Sequence, residues 1–469
     1  MVEGEDRFHH PTIRSVRSCP KLRQLGSGNR TEQPSNMSRS RLIRRSRIVL
    51  QPDPARAVLR PFTPAADPPG YEAPGSSRAQ RIADRVLALT DREVTDQLRH
   101  LLAEFADRHR DLAELFLRRF DQVNGLLIAR CEVGRDRAIL IGSYFCAEYS
   151  YEAAALFNPS IVPHPDQSDL DEHCMRFILS LRAVGEGHIS SIAFRTGTCT
   201  ADGVLKIDAP KPRPTLLQTT FPLEGTDREP AVRIVCDGTH DLSEVVIFPL
   251  TDAQERGVED LRLVRFIEED GSAMYYGTYT AFSDQGIRQE LLRTADFRTF
   301  DMIPLRGPAT ASKGMALFPR RVQGEYAMLG RHDNENILFL RSPEMDHWAG
   351  RETIVRPRWP WEFVQIGNCG SPLEIDEGWL VITHGVGPLR NYSIGACLLD
   401  RDDPTRLLAR TTEPLLRPDR TERAGYVPNV MYTCGALIHG RTLVLPYAVA
   451  DSFTTFAALS LDDLVGAME

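Results

Sequence analysis

An acidic pair stands beside an arginine where an apolar strand begins. Glu259, Asp260 and Arg262 come directly before or at the start of the apolar run Leu263–Phe266. Carboxyl groups can donate or accept protons, and a neighbouring cation changes which they do. The alternative is that these charges only open a surface strand. We take this segment as the first candidate for the chemistry of the protein.

The elements that must position these residues are short strands. After Leu126 the chain consists of apolar runs of four to seven residues separated by Gly, Asp, Pro and Asn, a pattern typical of strands and turns. One element recurs: a strand, a small or polar break, a second strand and an acidic turn. It appears at Arg176–Asp202, Met274–Asp296, Tyr326–Asp346, Trp379–Asp403 and Thr442–Asp463.

The spacing of these repeats indicates the fold. The last four start about 50 to 65 residues apart, which is the size of a propeller blade. The first gap is longer because residues 204–250 read as an insertion, which could shape a substrate site or a subunit contact. The sequence therefore predicts an all-β fold, a five-bladed β-propeller over residues 126–469. Pairing of early with late strands would close the ring and leave no exposed edge.

The N-terminal third is different. Residues 1–47 carry 11 Lys or Arg against 4 Asp or Glu with little apolar periodicity, which predicts a disordered basic tail. Translation could start at Met37, in which case residues 1–36 would not be part of the protein. Residues 48–125 form a segment with helical periodicity, and Thr90 with Glu93 forms a capping box. We expect an N-terminal α-helical appendage, a helical hairpin packed beside the propeller.

Composition limits the partners. The net charge is -8, and the part expected to fold has no basic stripe, which disfavours a nucleic-acid partner. The nine cysteines are scattered and include no close pair, a pattern typical of reduced thiols in the cytoplasm. No apolar run is long enough for a membrane span or a signal peptide. The sequence leaves open whether the protein forms a homo-oligomer.

Several segments in order resemble one enzyme family. They are Lys313, Ala316–Arg320, Tyr326–Arg331, Arg341–Trp348, Gly367–Glu374, Gly378–Leu380, His384–Val386, Tyr392, Leu398–Pro404, Val427–Val430, Cys434–Gly435 and Tyr447–Asp451. Together they resemble glycoside hydrolase family 130, from about residue 140 to the C-terminus. The ordered set is much more specific than any one segment.

The resemblance implies both fold and activity. Members are five-bladed propellers acting on β-mannosides, most as inverting phosphorylases and some as inverting hydrolases. The family's proton donor is an Asp before Pro-Arg, which places that role on Asp260, with Leu261 where the family has Pro. The expected activity is phosphorolysis of a β-mannoside that releases α-mannose 1-phosphate. Inorganic phosphate would be a co-substrate, the other partner a small oligosaccharide, and no cofactor or metal is implied.

The resemblance also assigns binding residues. Phosphate contacts are expected from Lys313, Arg331 and His384, although Gly330 stands where many phosphorylases have a histidine. Arg is suited to bidentate contact with phosphate. The expected substrate-binding residues are Asn158, Arg182, Ser190, Ser191, Glu259, Arg262 and Asp451.

Three alternatives remain open at this stage. An inverting hydrolase needs a second carboxylate as base, and Glu374 is a candidate, although it could also orient a neighbour. A non-catalytic carbohydrate-binding propeller is another, given the changes at Leu261 and Gly330. The polar residues His164, Asp166, Glu186 and His188 look particular to this chain. They could line a pocket for a different or longer sugar, and three of them, His164, Asp166 and His188, could hold a metal.

Overall fold

The protein, seen in a computed structural model, is predominantly β-strand with few helices. The structure describes residues 43–71, 76–125, 127, 132–216, 220–222, 231–236 and 241–469. These residues all belong to one compact unit, which spans Arg41–Glu469. The predictions for residues 1–36 lie outside the described residues.

The N-terminal part combines three strands with four helices. In chain order it contains β1 (Ile43–Leu50), β2 (Ala57–Pro61), α1 (Arg78–Leu87), α2 (Asp91–Phe105), α3 (Leu112–Asn124), α4 (Arg135–Ser143) and β3 (Cys146–Ser150). Strands β2 and β3 form an antiparallel pair that brackets the helices. The capping box is confirmed, because the Thr90 hydroxyl accepts from the Glu93 amide while the Glu93 carboxylate accepts from the Thr90 amide.

Two boundaries predicted for this part were wrong. The appendage has four helices rather than a hairpin, and it continues to Ser143, past the predicted limit at residue 125. Helix α4 escaped prediction because Ala138–Gly142 is buried all round, so it shows no amphipathic period. The basic tail was expected to reach Arg47, but Ile43–Arg47 lies in β1. The arginine side chains of β1 are exposed, while the backbone of the strand pairs with a neighbouring strand.

The rest of the chain forms five antiparallel meanders. Meander 1 contains β4 (Ala155–Pro163), β5 (Cys174–Val184), β6 (Ser190–Thr200) and β7 (Leu205–Ile207), and it is followed by β8 (Thr215–Leu216), β9 (Thr220–Pro222), β10 (Val232–Val235) and β11 (Val245–Ile247). Meander 2 contains β12 (Gly257–Ile267), β13 (Ala273–Ser283), β14 (Gly286–Thr294) and β15 (Thr299–Pro304). Meander 3 contains β16 (Ala316–Leu317), β17 (Tyr326–Gly330), β18 (Ile337–Ser342) and β19 (Glu352–Val355).

The last two meanders have a divided first strand. Meander 4 contains β20 (Gln365–Asn368), β21 (Leu373–Ile375), β22 (Gly378–Val386), β23 (Tyr392–Leu399) and β24 (Leu407–Arg410). Meander 5 contains β25 (Met431–Tyr432), β26 (Leu437–His439), β27 (Thr442–Val449) and β28 (Phe453–Ser460), and a short helix, α5 (Leu461–Gly466), ends the chain. Each of the five predicted repeats corresponds to the two middle strands of one meander.

Strand β1 is the fourth strand of meander 5. It pairs antiparallel with β28, from Ile43 opposite Leu459 to Leu50 opposite Thr454. The predicted pairing of an early with a late strand is therefore present. Without β1, the backbone groups along the outer edge of β28 would be unpaired.

The insertion adds strands at an outer edge. Strand β10 pairs with β15, the last strand of meander 2, and β9 pairs with β10. Strand β11 pairs with both β6 and β8. The described parts of the segment thus extend meanders 1 and 2 away from their first strands.

The first strands of three meanders approach one another closely. The Leu263 amide donates to Ser160 Oγ at 3.0 Å, and the Cys434 amide donates to the Pro159 carbonyl at 2.7 Å. Gly435 permits the second approach, because a Cβ there would lie 2.5 Å from Ser160 Oγ. These contacts bring together three residues that lie shortly before them in the chain. Each comes from a different meander: Asn158, Asp260 and Tyr432.

Candidate active site

The acidic pair occupies a bulge at the start of β12. Glu259 lies opposite Thr280 and Arg262 opposite Thr278, so Asp260 and Leu261 share one step of the ladder. Asp260 has φ 56, in the left-handed region. Leu261 turns into the core and packs over Gly277, where a Cβ would lie 2.6 Å from its Cδ1. The leucine that stands at the position of the family's proline thus packs into the core, and the Asp260 side chain points in the opposite direction.

Asp260 is held by residues of meander 1. Its Oδ1 accepts a hydrogen bond of 2.7 Å from Asn158 Nδ2 and one of 3.2 Å from Arg182 Nη1. Asn158 also has a positive φ, 47°, at the bulge in β4. Two strained bulges on neighbouring strands therefore present the carboxylate and its amide partner to each other. Strain of this kind persists only where the surroundings enforce it.

Glu259 connects two of the predicted binding residues. Its carboxylate accepts from Arg182 Nη2 and from Lys313 Nζ, both at 2.6 Å. Arg182 also donates through Nε to Ser190 Oγ at 2.9 Å. Lys313 keeps 38% of its side chain exposed, so it can reach a ligand from the open side of the cluster.

Arg262 forms the buried floor of the cluster. It donates to the Cys369 carbonyl at 2.7 Å, to the Asp260 carbonyl at 3.2 Å and to the Tyr432 hydroxyl at 3.0 Å. These contacts tie meander 2 to meanders 4 and 5. Arg262 is thus a positioning residue that fixes the backbone of Asp260.

Arg331 and His384 make up the other side. Arg331 Nη1 lies 3.0 Å from His384 Nε2. Glycines leave the necessary space: a Cβ on Gly314 would lie 2.2 Å from Arg331 Nε, and one on Gly367 would lie 2.4 Å from His384 Cε1. Within the described part of the chain, Arg331 forms no ion pair with a carboxylate, and its buried Nε has no hydrogen-bond partner.

Electrostatics set the charge states of these groups. Burial strongly lowers the pKa of His384, and the cations Arg331 and Arg262 lower it further, so its ring is neutral. Its Nε2 then accepts from Arg331, which fixes the guanidinium. Burial opposes ionisation of Asp260, but Arg182, Arg262 and Lys313 outweigh it and hold its pKa well below the usual range.

Asp451 is a third carboxyl group, close enough to Asp260 and Glu259 to interact with their charges. It lies between β27 and β28 with φ 50. Burial raises its pKa to about 6, with a further contribution from the negative charge of Asp260, while Arg182 and Arg390 act in the opposite direction. The carboxyl groups of Asp260 and Asp451 thus have pKa values that are displaced in opposite directions.

Replacing Asp451 by Asn tests this assignment through stability. A carboxyl whose folded pKa exceeds its unfolded value loses stabilising protonation as pH rises, here between about 4 and 6. The variant lacks this loss, so its free energy of unfolding relative to the native protein should increase from pH 4 to pH 8, by roughly 2 to 3 kcal/mol. Urea unfolding at both pH values measures the difference. A pH-independent difference would contradict the raised pKa.

The structure brings most of the predicted site residues together. Asn158, Arg182, Ser190, Glu259, Asp260, Arg262, Lys313, Arg331 and His384 form one connected cluster. Ser191 is buried, and its hydroxyl has no hydrogen-bond partner among the described residues. Sequence reasoning missed the roles of Tyr432, which lies outside the motif segments, and of Cys369, which lies inside one: the Tyr432 hydroxyl and the Cys369 carbonyl both accept hydrogen bonds from Arg262.

Other candidates lie elsewhere. Glu374 forms a bidentate ion pair with Arg320, with contacts of 2.7 and 2.9 Å, and lines a cavity with Leu263–Val264, past the acidic pair along β12. It is therefore not placed to serve as base beside Asp260. His164 bonds the backbone of Asp166, whereas His188 Nδ1 contacts the Tyr426 hydroxyl at 2.5 Å. Across the described ranges, no group of three His, Cys, Asp or Glu residues is arranged to hold a metal ion.

Comparisons with known proteins define the class. Residues 235–469 match the family model of glycoside hydrolase family 130, described as beta-1,4-mannooligosaccharide phosphorylase. The chain therefore belongs to glycoside hydrolase family 130. This family is one of carbohydrate-active enzymes, and the match includes the acidic pair and every predicted phosphate contact.

Particular relatives are similar over part of their length. The chain is 31% identical over 48% of its length to a 1,2-beta-oligomannan phosphorylase of Thermoanaerobacter sp., covering 75% of that protein. It is 29% identical to a beta-1,2-mannobiose phosphorylase of Listeria innocua, covering 63% of it, and 33% identical to a beta-1,4-mannooligosaccharide phosphorylase of Ruminococcus albus, covering 55%. The solved structure of a Listeria innocua beta-1,2-mannobiose phosphorylase superposes with a TM-score of 0.48 at 23% identity, over 67% of this chain and 92% of that one.

Proposed function

We propose that the protein is an inverting phosphorylase of β-mannosides, with its five meanders arranged as the blades of a propeller. Asp260 is the proton donor, and Lys313, Arg331 and the Arg331-bound His384 form the phosphate side. The co-substrate is inorganic phosphate, and no other cofactor is required. The phosphorylase names of the relatives support this proposal.

The observation that carries the proposal is the excess of positive charge around Asp260. The cluster contains four cations, Arg182, Arg262, Lys313 and Arg331, against the three carboxyl groups of Glu259, Asp260 and Asp451. Glu259 is occupied by two of the cations. Among the described residues no carboxylate pairs with Arg331, and a phosphate dianion could accept charge-assisted hydrogen bonds from it.

The proposed reaction is a single displacement with inversion. A phosphate oxygen attacks the anomeric carbon from the face opposite the leaving group, and the carbon–oxygen bond to the leaving sugar breaks. The leaving oxygen takes the proton of Asp260, and the product is α-mannose 1-phosphate with inverted configuration. The phosphate dianion also offsets the cations that lower the pKa of Asp260, so binding of the co-substrate favours the protonated form that the step needs.

A hydrolase is the second candidate, and Asp451 is the observation that favours it. Inverting hydrolases use one carboxylic acid and one carboxylate on opposite sides of the bond. The raised pKa of Asp451 and the lowered pKa of Asp260 are the kind of divergence that separates acid from base. In that case Asp451 protonates the leaving group and Asp260 activates water.

Product analysis separates the two candidates. The purified protein is incubated with β-1,2- and β-1,4-mannobiose, with and without inorganic phosphate, while mannose and mannose 1-phosphate are quantified. We expect mannose 1-phosphate only when phosphate is present, in the α configuration by NMR. Free mannose in twofold amount without phosphate would establish the hydrolase. Binding of either disaccharide without turnover would establish a carbohydrate-binding protein instead.

The thiol groups of the protein support a proposal for its cellular compartment. Six of the cysteines that the structure describes carry free thiols: Cys146, Cys174, Cys199, Cys369, Cys397 and Cys434. Free thiols are typical of a reducing compartment, which supports the cytoplasm. None of the helices in the described ranges combines the length and apolar character that a bilayer crossing requires.

A further inference from the structure

Two adjacent residues whose side chains the proposed reaction does not use lie against the phosphate side. Asn368 is the last residue of β20, and Cys369 follows it. Both side chains are completely buried. The Cys369 amide continues the pairing with β22, because it donates to the Ile382 carbonyl at 2.9 Å. The backbone of both residues is therefore held by the sheet, and their side chains can hold a neighbour in turn.

The contact between His384 and Arg331 determines where the imidazole ring carries its proton. A guanidinium group only donates hydrogen bonds, so His384 Nε2, which lies 3.0 Å from Arg331 Nη1, must accept. Burial and the nearby cations lower the pKa of His384 well below its usual value, so the ring is neutral and has one N–H group. That group is then at Nδ1, and it needs an acceptor of its own.

The thiol of Cys369 provides this acceptor. Its Sγ lies 3.9 Å from His384 Nδ1, in position to accept a weak hydrogen bond. Burial raises the pKa of Cys369 to about 12, so the sulfur stays a neutral thiol, and the Thr433 backbone hydrogen-bonds it as well. Cys369 therefore holds the ring, and the ring holds the Arg331 guanidinium.

Asn368 holds the turn that lies between the two cations of the phosphate side. Its Nδ2 donates to the Gly314 carbonyl at 2.8 Å. Gly314 directly follows Lys313 and has φ 95, and it packs against Arg331 so closely that a Cβ would lie 2.2 Å from the Arg331 Nε. The hydrogen bond from Asn368 therefore fixes the backbone that sets the place of both cations.

We propose that Asn368 and Cys369 are positioning residues that hold the phosphate side in its binding arrangement before phosphate arrives. Long cationic side chains lose rotamer freedom when they bind a ligand, and holding them in advance reduces that cost. This inference rests on the proposed function. It adds two residues that act through the phosphate contacts and do not themselves touch phosphate.

Changing Cys369 to Ala tests the first contact. The His384 Nδ1–H group then lacks its acceptor, so KM for phosphate should rise by about 3- to 10-fold, the range for loss of one ordinary hydrogen bond. KM for mannobiose and kcat should change little. Cys369→Ser restores an acceptor and should recover most of the loss. Cys397→Ala is the matched control, because it removes another buried thiol of meander 4, one that packs in an apolar core, and it should leave KM for phosphate unchanged.

Changing Asn368 to Ala tests the second contact. KM for phosphate should again rise by about 3- to 10-fold, because the Gly314 turn loses its hydrogen bond. Gln254→Ala is the control, since it removes a completely buried amide that bonds Glu290 outside the cluster. Melting temperatures show which variants fold. An unchanged KM for phosphate in the folded Asn368 and Cys369 variants, an equal rise in the controls, or the same rise in Cys369→Ser and Cys369→Ala would overturn the proposal.

The proton of His384 can be located without measuring turnover. Nitrogen-15 NMR of histidine-labelled protein, with His384→Gln to identify the signal by its absence, should show a proton on Nδ1 and none on Nε2. Cys369→Ala should shift the Nδ1 signal, and Cys397→Ala should not. A proton on Nε2 in the native protein would overturn the proposal even if a variant fails to fold. Absence of phosphate-dependent turnover in the native protein would instead contradict the proposed function, and the NMR result would still decide whether Cys369 holds the ring.

Discussion

Replacing Asp260 by Asn is expected to lower kcat for phosphorolysis of β-mannobiose by about 10³-fold, the usual contribution of a positioned acid. The amide keeps the size of the carboxyl group but cannot donate a proton of suitable acidity. Asn also tolerates the left-handed backbone at this position, so the bulge in β12 should persist. Steady-state kinetics with saturating phosphate measure the loss.

The leaving group distinguishes a missing proton from a damaged site. A 4-nitrophenyl β-mannoside releases a phenolate that needs no proton, so the variant should recover most of its activity on that substrate. Asp451→Asn is the matched control, since it also places Asn at a positive φ within the cluster. If Asp451→Asn shows the larger loss together with rescue by the activated substrate, the donor is Asp451 and the assignment to Asp260 is wrong.

Changing Arg331 to Gln should raise KM for phosphate by about 10- to 100-fold, the range expected for loss of a charged hydrogen bond. KM for the mannoside should change little, because Arg331 contacts His384 rather than the residues around Asn158 and Arg182. Initial rates with each substrate varied in turn separate the two constants.

The chain offers two checks on this result. Arg341→Gln removes an arginine of the same meander that binds Gln323, and it should leave both constants unchanged. Gly314→Ala keeps Arg331 but forces it to move, since a Cβ would lie 2.2 Å from its Nε, and it should also raise KM for phosphate. An increase confined to KM for the mannoside in Arg331→Gln would place the phosphate elsewhere.

The repeats of the fold could be predicted because each one repeats a local pattern. Two apolar strands around a small or polar break occur five times, and each corresponds to a strand pair in the structure. Strand β1 could not be predicted in this way. Its arginines resemble a solvated tail, and only the partner strand β28, at the far end of the sequence, makes it a strand.

The site could be predicted only as far as motifs reach. Arg182, Asp260 and Lys313 each stand in a segment that resembles the family, and they do converge. Their partnerships depend on how meanders pack, so the sequence could not show that Glu259 bridges two cations. Glu374 shows the same limit. It lies in a segment that resembles the family, but its side chain pairs with Arg320 and lines a different cavity.

The pairing of β1 with β28 also bears on how the protein is made. Strand β1 leaves the ribosome before the other strands that the structure describes, but its partner strand appears about 400 residues later, so meander 5 cannot be completed until β28 has been made. Until then β1 must wait as an unpaired strand, and late contacts between distant segments are slow to form. The same arrangement places β1 and β28, the first and the last strands that the structure describes, side by side in one sheet, so meander 5 joins the beginning and the end of the described part of the chain.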